Sequence, residues 1–232
     1  MTDASSAHSQ TLSRGIRILE VLADARTPLT IDALSAMLGL HRSVTYRLLR
    51  TLEDHRLVVR DGAGRIALGS RLAALAAGVS HDLQAAALPE LTAIANELGM
   101  TCFLTVLDGD EIVTLVSVEP RHTMGSIAQR PGTRHPVGVG APGKAIASRL
   151  PASRWPDALD DDHRAELAVV REQGWASSHD EVITGLRAVA VPLAVHGSPA
   201  AALAVVYVSS SRPETEIAAR LIEGAATIAS SV

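Results

Sequence analysis

Residues 30–54 read TIDALSAMLGLHRSVTYRLLRTLED, and they decide the architecture of the first third of the chain. Thr30 offers a side-chain oxygen to cap the short apolar helix IDALSAML. Gly39 closes that helix, because its missing Cβ permits the left-handed conformation a helix end requires. A second helix, HRSVTYRLLRTLEDHRL, starts at once. Two short helices joined by a tight glycine turn, the second of them basic, make a helix-turn-helix pattern. On a helical wheel Val44, Leu48 and Leu52 share one sector with Leu49 at its edge, while Arg42, Ser43, Tyr46, Arg47 and Arg50 fall opposite. That outer face carries three arginines, a tyrosine and no acid. Guanidinium forks bridge guanine O6 and N7 or clamp a phosphate, and hydroxyls suit the nucleic-acid backbone. The expected reading set is Arg42, Ser43, Tyr46 and Arg47 in the groove, with Thr45 beside them and Arg50 nearer phosphates.

Upstream, SRGIRILEVLADA at 13–25 places Ile16, Ile18, Leu19 and Leu22 at helical spacing behind Ser13, which reads as the cap. Downstream, LVVRDGAGRIALG at 57–69 alternates apolar and polar residues around an Asp-Gly turn. A hairpin there is a wing, with Arg60 and Arg65 on its two arms facing phosphates. The charge agrees with this division. The chain of 232 residues has formal charge −4, yet residues 1–70 hold nine arginines against seven acids, and the remainder is acidic. Six of those arginines lie within 41–65. A compact basic segment in an acidic chain is the footprint of a nucleic-acid contact.

From 70 to 98 the chain is rich in Ala and Leu with no turn signal before Pro89, which predicts a linker helix over 70–82 and a further helix ending at Gly99. The period then changes to two. TCFLTVLDGDEIVTLVSV predicts a hairpin turned at Asp108–Asp110, and TMGSIAQ predicts another strand. GKAIASRL, HRAELAVVREQG and RPETEIAARLIEGAATIAS predict helices around a last hairpin, RAVAVPLAV and AALAVVYVS, turned at His196–Ser198. The fold class is therefore α+β: a winged helix-turn-helix over 12–69 behind a disordered 1–11, a linker helix, and a domain over 83–232 with a mainly antiparallel sheet flanked by helices.

Several functions are excluded on composition. With 47% hydrophobic and 20% charged residues the chain is too apolar to be disordered, and no run reaches the roughly 18 apolar residues of a membrane span. The polar opening MTDASSAHSQTLSR is unlike a signal peptide, so the expected location is cytoplasmic and away from membranes. The single cysteine, Cys102, rules out an intrachain disulfide. There is no G-x-S-x-G and no metal-ligand spacing among the nine histidines, and His179-Asp180-Glu181 reads as a solvated loop. No enzyme activity, cofactor or metal is expected.

Gly138-Val-Gly-Ala-Pro-Gly-Lys144-Ala145 satisfies two nucleotide-binding patterns in outline. Ala145 stands where a phosphate loop needs a hydroxyl for magnesium, and Pro142 removes an amide from the cradle. The preceding RPGTRHPV is broken by two prolines, so no buried strand leads into the glycines. What remains is a helix start able to hold a smaller anion. Arg121, Arg130, Arg134, Lys144 and Arg149 lie around it with no acid between 121 and 149.

Taken in order, SRGIRILEVL, SVTYRLLRTLE, PGTRHPVGVGAPGKAIAS and DEVITGLRAVAVPL resemble the signatures of the IclR family of bacterial transcriptional regulators, from about Leu12 to the C-terminus. The resemblance implies a winged helix-turn-helix, a linker helix and a GAF-like effector domain whose pocket takes small organic acids. It also implies homodimers or dimers of dimers on palindromic double-stranded operator DNA, and repression is the expected sign. The family's loop has a His and a Ser or Thr where this chain has Gly138 and Gly140. Its acid before the DEVITG segment corresponds to Ser178, its Cys after Gly-x-Arg to Ala188, and its small hydroxyl residues of the last strand to Ala204 and Val206. With those positions apolar or smaller, the expected effector is an organic acid with an aromatic or alkyl body. Its charge would be met by Arg130 or Arg134 and the loop at Ala141, Pro142 and Gly143, with Ile127 also lining the site. The alternative function is a ligand-sensing protein-interaction module with a vestigial DNA-binding domain.

Overall fold

A computed structural model describes residues 9–25, 27–121, 127, 129–155, 159–195 and 200–232. The chain divides into two compact units, 1–79 and 80–232.

The first unit contains α1 (Gln10–Asp24), α2 (Ile31–Leu38), α3 (Arg42–Asp54), the two-stranded sheet β1 (Val58–Arg60) and β2 (Ile66–Leu68), and α4 (Arg71–Ala76). Ser9 rather than Ser13 caps α1, accepting from the Leu12 amide, so the helix begins inside the segment expected to be disordered. Residues 1–8 of that segment lie outside the described residues. Thr30 caps α2 through the Ala33 amide, and Gly39 sits at φ 63°, making the turn into α3 as its sequence requires. Ile18, Leu22, Leu34, Leu49, Leu52, Val58 and Ile66 form the core of this unit. Leu49 is therefore central to the buried face of α3 and not at its edge, while Val44 and Leu48 flank it half-buried. Asp61 shapes the wing turn by accepting from the amides of Ala63 and Arg65, and the positive φ falls on Gly64, two residues beyond the expected Asp-Gly corner. Gly69 lies so close to the Arg56 carbonyl that a Cβ would stand 2.2 Å from its oxygen, which fixes glycine at the end of the wing.

The expected linker helix over 70–82 is broken. The helix α4 ends at Ala76, and the next, α5 (His81–Leu98), begins behind Ser80 in the left-handed region at φ 46°. Gly78, a poor helix former, lies in this interruption. Pro89, read from sequence as a turn signal, is inside α5.

The second unit is a six-stranded antiparallel sheet in the order β5-β4-β3-β8-β7-β6. Its strands are β3 (Thr101–Asp108), β4 (Glu111–Val118), β5 (Arg134–Pro136), β6 (Ala176–His179), β7 (Arg187–Leu193) and β8 (Ala201–Tyr207). The helices are α5, α6 (Gly140–Ala147), α7 (Asp161–Gln173) and α8 (Glu214–Ser230). Most of the expected strand TMGSIAQ, and the turn at His196–Ser198, lie outside the described residues.

Period-two alternation separates the two faces. Leu104, Val189, Val191, Leu203 and Val205 pack against α5 and α8, while Phe103, Ala190, Ala202 and Ala204 pack against α6 and α7. The second face is built of alanine near its centre. That lets α6, all eight of whose residues are buried, lie close against it. Arg220 of α8 bridges Glu90 and Glu97 of α5 at 2.8 and 2.7 Å on the far side. Cys102 is buried there, and burial holds its thiol protonated.

Candidate DNA-reading face and ligand pocket

Helix α3 starts at His41, whose ring accepts from the Ser43 amide, and it presents Arg42, Ser43, Tyr46, Arg47 and Arg50 to solvent. Tyr46 is 47% exposed, unusual for a large aromatic in a chain with five, and consistent with a contact surface. The arginines are not equivalent. Arg42 pairs with Asp32 of α2, and Arg60 donates to Glu53 at 2.9 Å, tying the wing to α3. Arg65 pairs with Asp61 inside its own turn. Among the described residues Arg47 and Arg50 have no ion-pair partner, so their charge is the most available to phosphate or base. Thr45 is a correction to the sequence reading. It is fully buried, and its hydroxyl accepts from Ser35 Oγ at 3.0 Å, joining α2 to α3. On the wheel it falls between Leu52 and Leu49, so its burial was legible from position alone.

In the second unit a cleft of about 520 Å³, counting its open mouth, lies at the end of the alanine face where α6 begins. It is lined by Phe103, Gln129, Thr133, His135, Gly140, Pro142, Ser178, Glu181, Val182, Ile183, Leu186, Arg187, Ala188 and Val206. A mostly apolar concavity with a few polar groups is the usual form of a small-molecule site. Of the residues expected from sequence, Pro142, Ser178, Ala188 and Val206 line it. Ala204 lies in the packed floor opposite Phe103 on the neighbouring strand, and Ile127 packs beside that cluster, its carbonyl accepting from Thr101 Oγ1 at 2.8 Å. Gly143 packs against the backbone of Pro136 and Gly138, where a Cβ would be tight.

The basic residues expected to meet an acid are elsewhere. Arg134 is on the edge strand β5 and pairs with Asp108 and with Glu111 at 2.9 Å, which raises the already high pKa of its guanidinium. Arg130 is exposed and outside the lining. The start of α6 is occupied from within: the Gly140 amide donates to Glu181 Oε2 at 3.0 Å and the Ala141 amide to Ser178 Oγ at 3.0 Å. Glu181 Oε1 also accepts from Lys144 Nζ at 2.6 Å, as does Glu166 Oε1 at 2.6 Å. Lys144 is 4% exposed, so its amine is committed to two carboxylates of the chain. The segment read as a solvated loop thus supplies a structural ligand. The signal available in sequence was the lone buried-type lysine in an acid-free stretch, which required acids from elsewhere. Phe103 could have been singled out as the one phenylalanine; Gln129, Thr133, His135, Val182, Ile183, Leu186 and the neighbouring Arg187 carried no such mark.

Residues 180–186 close on themselves, the Asp180 amide donating to the Leu186 carbonyl at 3.0 Å, and carry Val182 and Ile183 at the cleft. Gly140, at φ 68°, faces Val182, whose Cγ2 would stand 2.8 Å from a Cβ added there. Burial lowers the pKa of His135, keeping the ring neutral. No group of His, Cys, Asp or Glu able to hold a metal occurs among the described residues, and no described helix is long and apolar enough to cross a membrane.

Residues 11–62 match the model of the IclR helix-turn-helix domain, and residues 75–232 match that of the bacterial transcriptional regulator IclR C-terminal domain. The chain is 32% identical over 226 residues to the probable transcriptional regulator SauR of Cupriavidus necator, with 89% of each chain covered. The crystal structure of an IclR transcriptional regulator from Alicyclobacillus acidocaldarius is 28% identical with a TM-score of 0.83, covering 97% of this chain and 99% of that one. An IclR homolog from Microbacterium hydrocarbonoxydans, solved in complex with 4-hydroxybenzoate, shares the fold at 22% identity and a TM-score of 0.83, covering 96% of this chain and 98% of that one. The chain belongs to the IclR family of bacterial transcriptional regulators, with a helix-turn-helix DNA-binding domain followed by a C-terminal effector-binding domain.

Proposed function

We propose that this protein binds a palindromic operator as a homodimer, or as a dimer of dimers, and represses transcription until a small organic molecule occupies the cleft of its second unit. It acts in the cytoplasm and catalyses no reaction. The observation that carries the DNA half of the reading is the outer face of α3, where Arg47 and Arg50 have no ion-pair partner among the described residues and Tyr46 is exposed beside them. The observation that supports the sensing half is the cleft beside α6, whose walls are largely apolar. The Microbacterium homolog of the same fold is complexed with 4-hydroxybenzoate, a small one-ring acid, which supports a small organic molecule as the effector.

Selection from a pool of random DNA duplexes by the full-length protein tests the first half. Enrichment of an inverted repeat with half-sites about one helical turn apart is expected. Retention of DNA with no sequence enrichment, or none at all, contradicts it and leaves the interaction-module alternative.

A further inference from the structure

We propose that the cleft beside α6 is a receptor for an uncharged, mostly apolar molecule with one or two hydrogen-bonding groups, such as an aromatic amide or alcohol, and that Glu181 excludes the corresponding carboxylate. This rests on the reading of the cleft as the effector site. The charges of the described residues around the cleft carry it.

A carboxylate needs a cation or free amides. The two leading amides of α6 are capped by Glu181 and Ser178. Lys144 already holds two carboxylates. Arg187 contributes to the rim, but it shares the parity of Val189 on β7, and its guanidinium lies 3.7 Å from Glu214 at the start of α8, on the opposite face of the sheet. Arg134 is held by Asp108 and Glu111. No free cation lines the cleft among the described residues.

One lysine facing two glutamates leaves an excess of one negative charge, which the start of α6 offsets by about half. A third carboxylate at this place would be repelled by Glu181 or would have to displace it from both Lys144 and the Gly140 amide.

Neutral ligands meet no such obstacle. Ser178 accepts from Ala141 and keeps its own proton to donate. Gln129 donates to Thr114 through its nitrogen at 3.0 Å, leaving its carbonyl as an acceptor. Thr133 adds a hydroxyl and His135 a ring nitrogen. Phe103, Val206, Leu186, Val182 and Ile183 supply the surface for an apolar body, and the last two are 48% and 52% exposed.

The test is isothermal titration of the full-length protein at pH 7.5 with pairs that share a body and differ in charge: benzamide against benzoate, and phenylacetamide against phenylacetate. The wild type should bind each amide at least tenfold more tightly than its acid. Glu181→Gln removes one negative charge while its carbonyl can keep the Gly140 amide bonded, and should shrink that ratio at least threefold. An acid binding as tightly as its amide, a ratio unchanged in Glu181→Gln, or no binding by any pair at millimolar concentration overturns the proposal. The wild-type ratio decides the matter even if the variant fails to fold. Selection of an operator remains a separate readout: an acid-preferring cleft on a protein that still enriches an inverted repeat sinks this inference alone.

Discussion

Thr45 and Arg47 stand two residues apart on α3 and face opposite demands. Arg47 meets solvent with no ion-pair partner among the described residues, whereas Thr45 is sealed against Ser35. Replacing Thr45 with Val leaves the Ser35 hydroxyl buried without its acceptor. That should cost about 1–3 kcal/mol of stability, read from urea unfolding, while operator affinity below the transition stays within about twofold. A large loss of affinity in a folded Thr45→Val protein would return the residue to the DNA-contacting set. His135 gives a second residue-scale prediction. Its folded pKa is depressed by burial below the ordinary 6.5, so its contribution to stability is present above that value and is lost as pH falls through the lowered one. His163 is shifted the other way by Asp160, and its contribution is lost only as pH rises above 6.5. His135→Asn should therefore flatten the acid side of the stability profile below pH 6.5 and leave the side above it unchanged. An unaltered acid limb would refute the role of His135.

At the scale of the element, α6 shows how far a pattern of glycines can mislead. Its sequence satisfies nucleotide-binding outlines, yet the glycines serve geometry. Gly138 and Gly140 turn the chain at positive φ, and Gly143 fits against the backbone. Its lysine is not presented to a phosphate but is sunk between Glu166 and Glu181. Lys144→Met would leave two carboxylates facing an apolar side chain. The exposed Glu166 can turn to water, but Glu181 remains tied to Gly140, so a loss of about 3–5 kcal/mol is expected, measured by thermal unfolding of the second unit. Little change would mean the pair is solvated and the strap at 180–186 is held by its apolar residues instead. The helix-turn-helix was legible in sequence because its devices are local: Thr30 caps, Gly39 turns, and a basic face follows. The break between α4 and α5 was less legible, since Gly78 and Ser80 are weak signals and Pro89 a strong one that the helix nevertheless absorbs.

Across the whole molecule the same contrast divides the two units. Alternation along the strands announced an antiparallel sheet with helices on both sides, and the order of elements followed. The pocket was only partly readable because it is a product of the tertiary fold. It gathers Phe103 from β3, Pro142 from α6, Ser178 from β6, Val206 from β8 and the strap after Asp180, residues separated by as much as the whole stretch from 103 to 206. Sequence proximity made Arg130 and Arg134 look like partners of the loop, while the acid that fills it comes from 41 positions beyond Gly140. The charge asymmetry survives in a sharper form: on α3 two arginines, Arg47 and Arg50, have no ion-pair partner among the described residues, and in the second unit's basic patch Arg134 and Lys144 are spent on internal pairs. On this account the molecule is a DNA reader whose contact is made by α3. The direct measurement is the affinity of Arg47→Ala for the selected operator duplex by fluorescence anisotropy at fixed salt, alongside its unfolding curve. A wild-type fold with binding weakened by about 1–3 kcal/mol is predicted. Unchanged affinity in that folded protein would contradict the assignment of α3 as the reading helix.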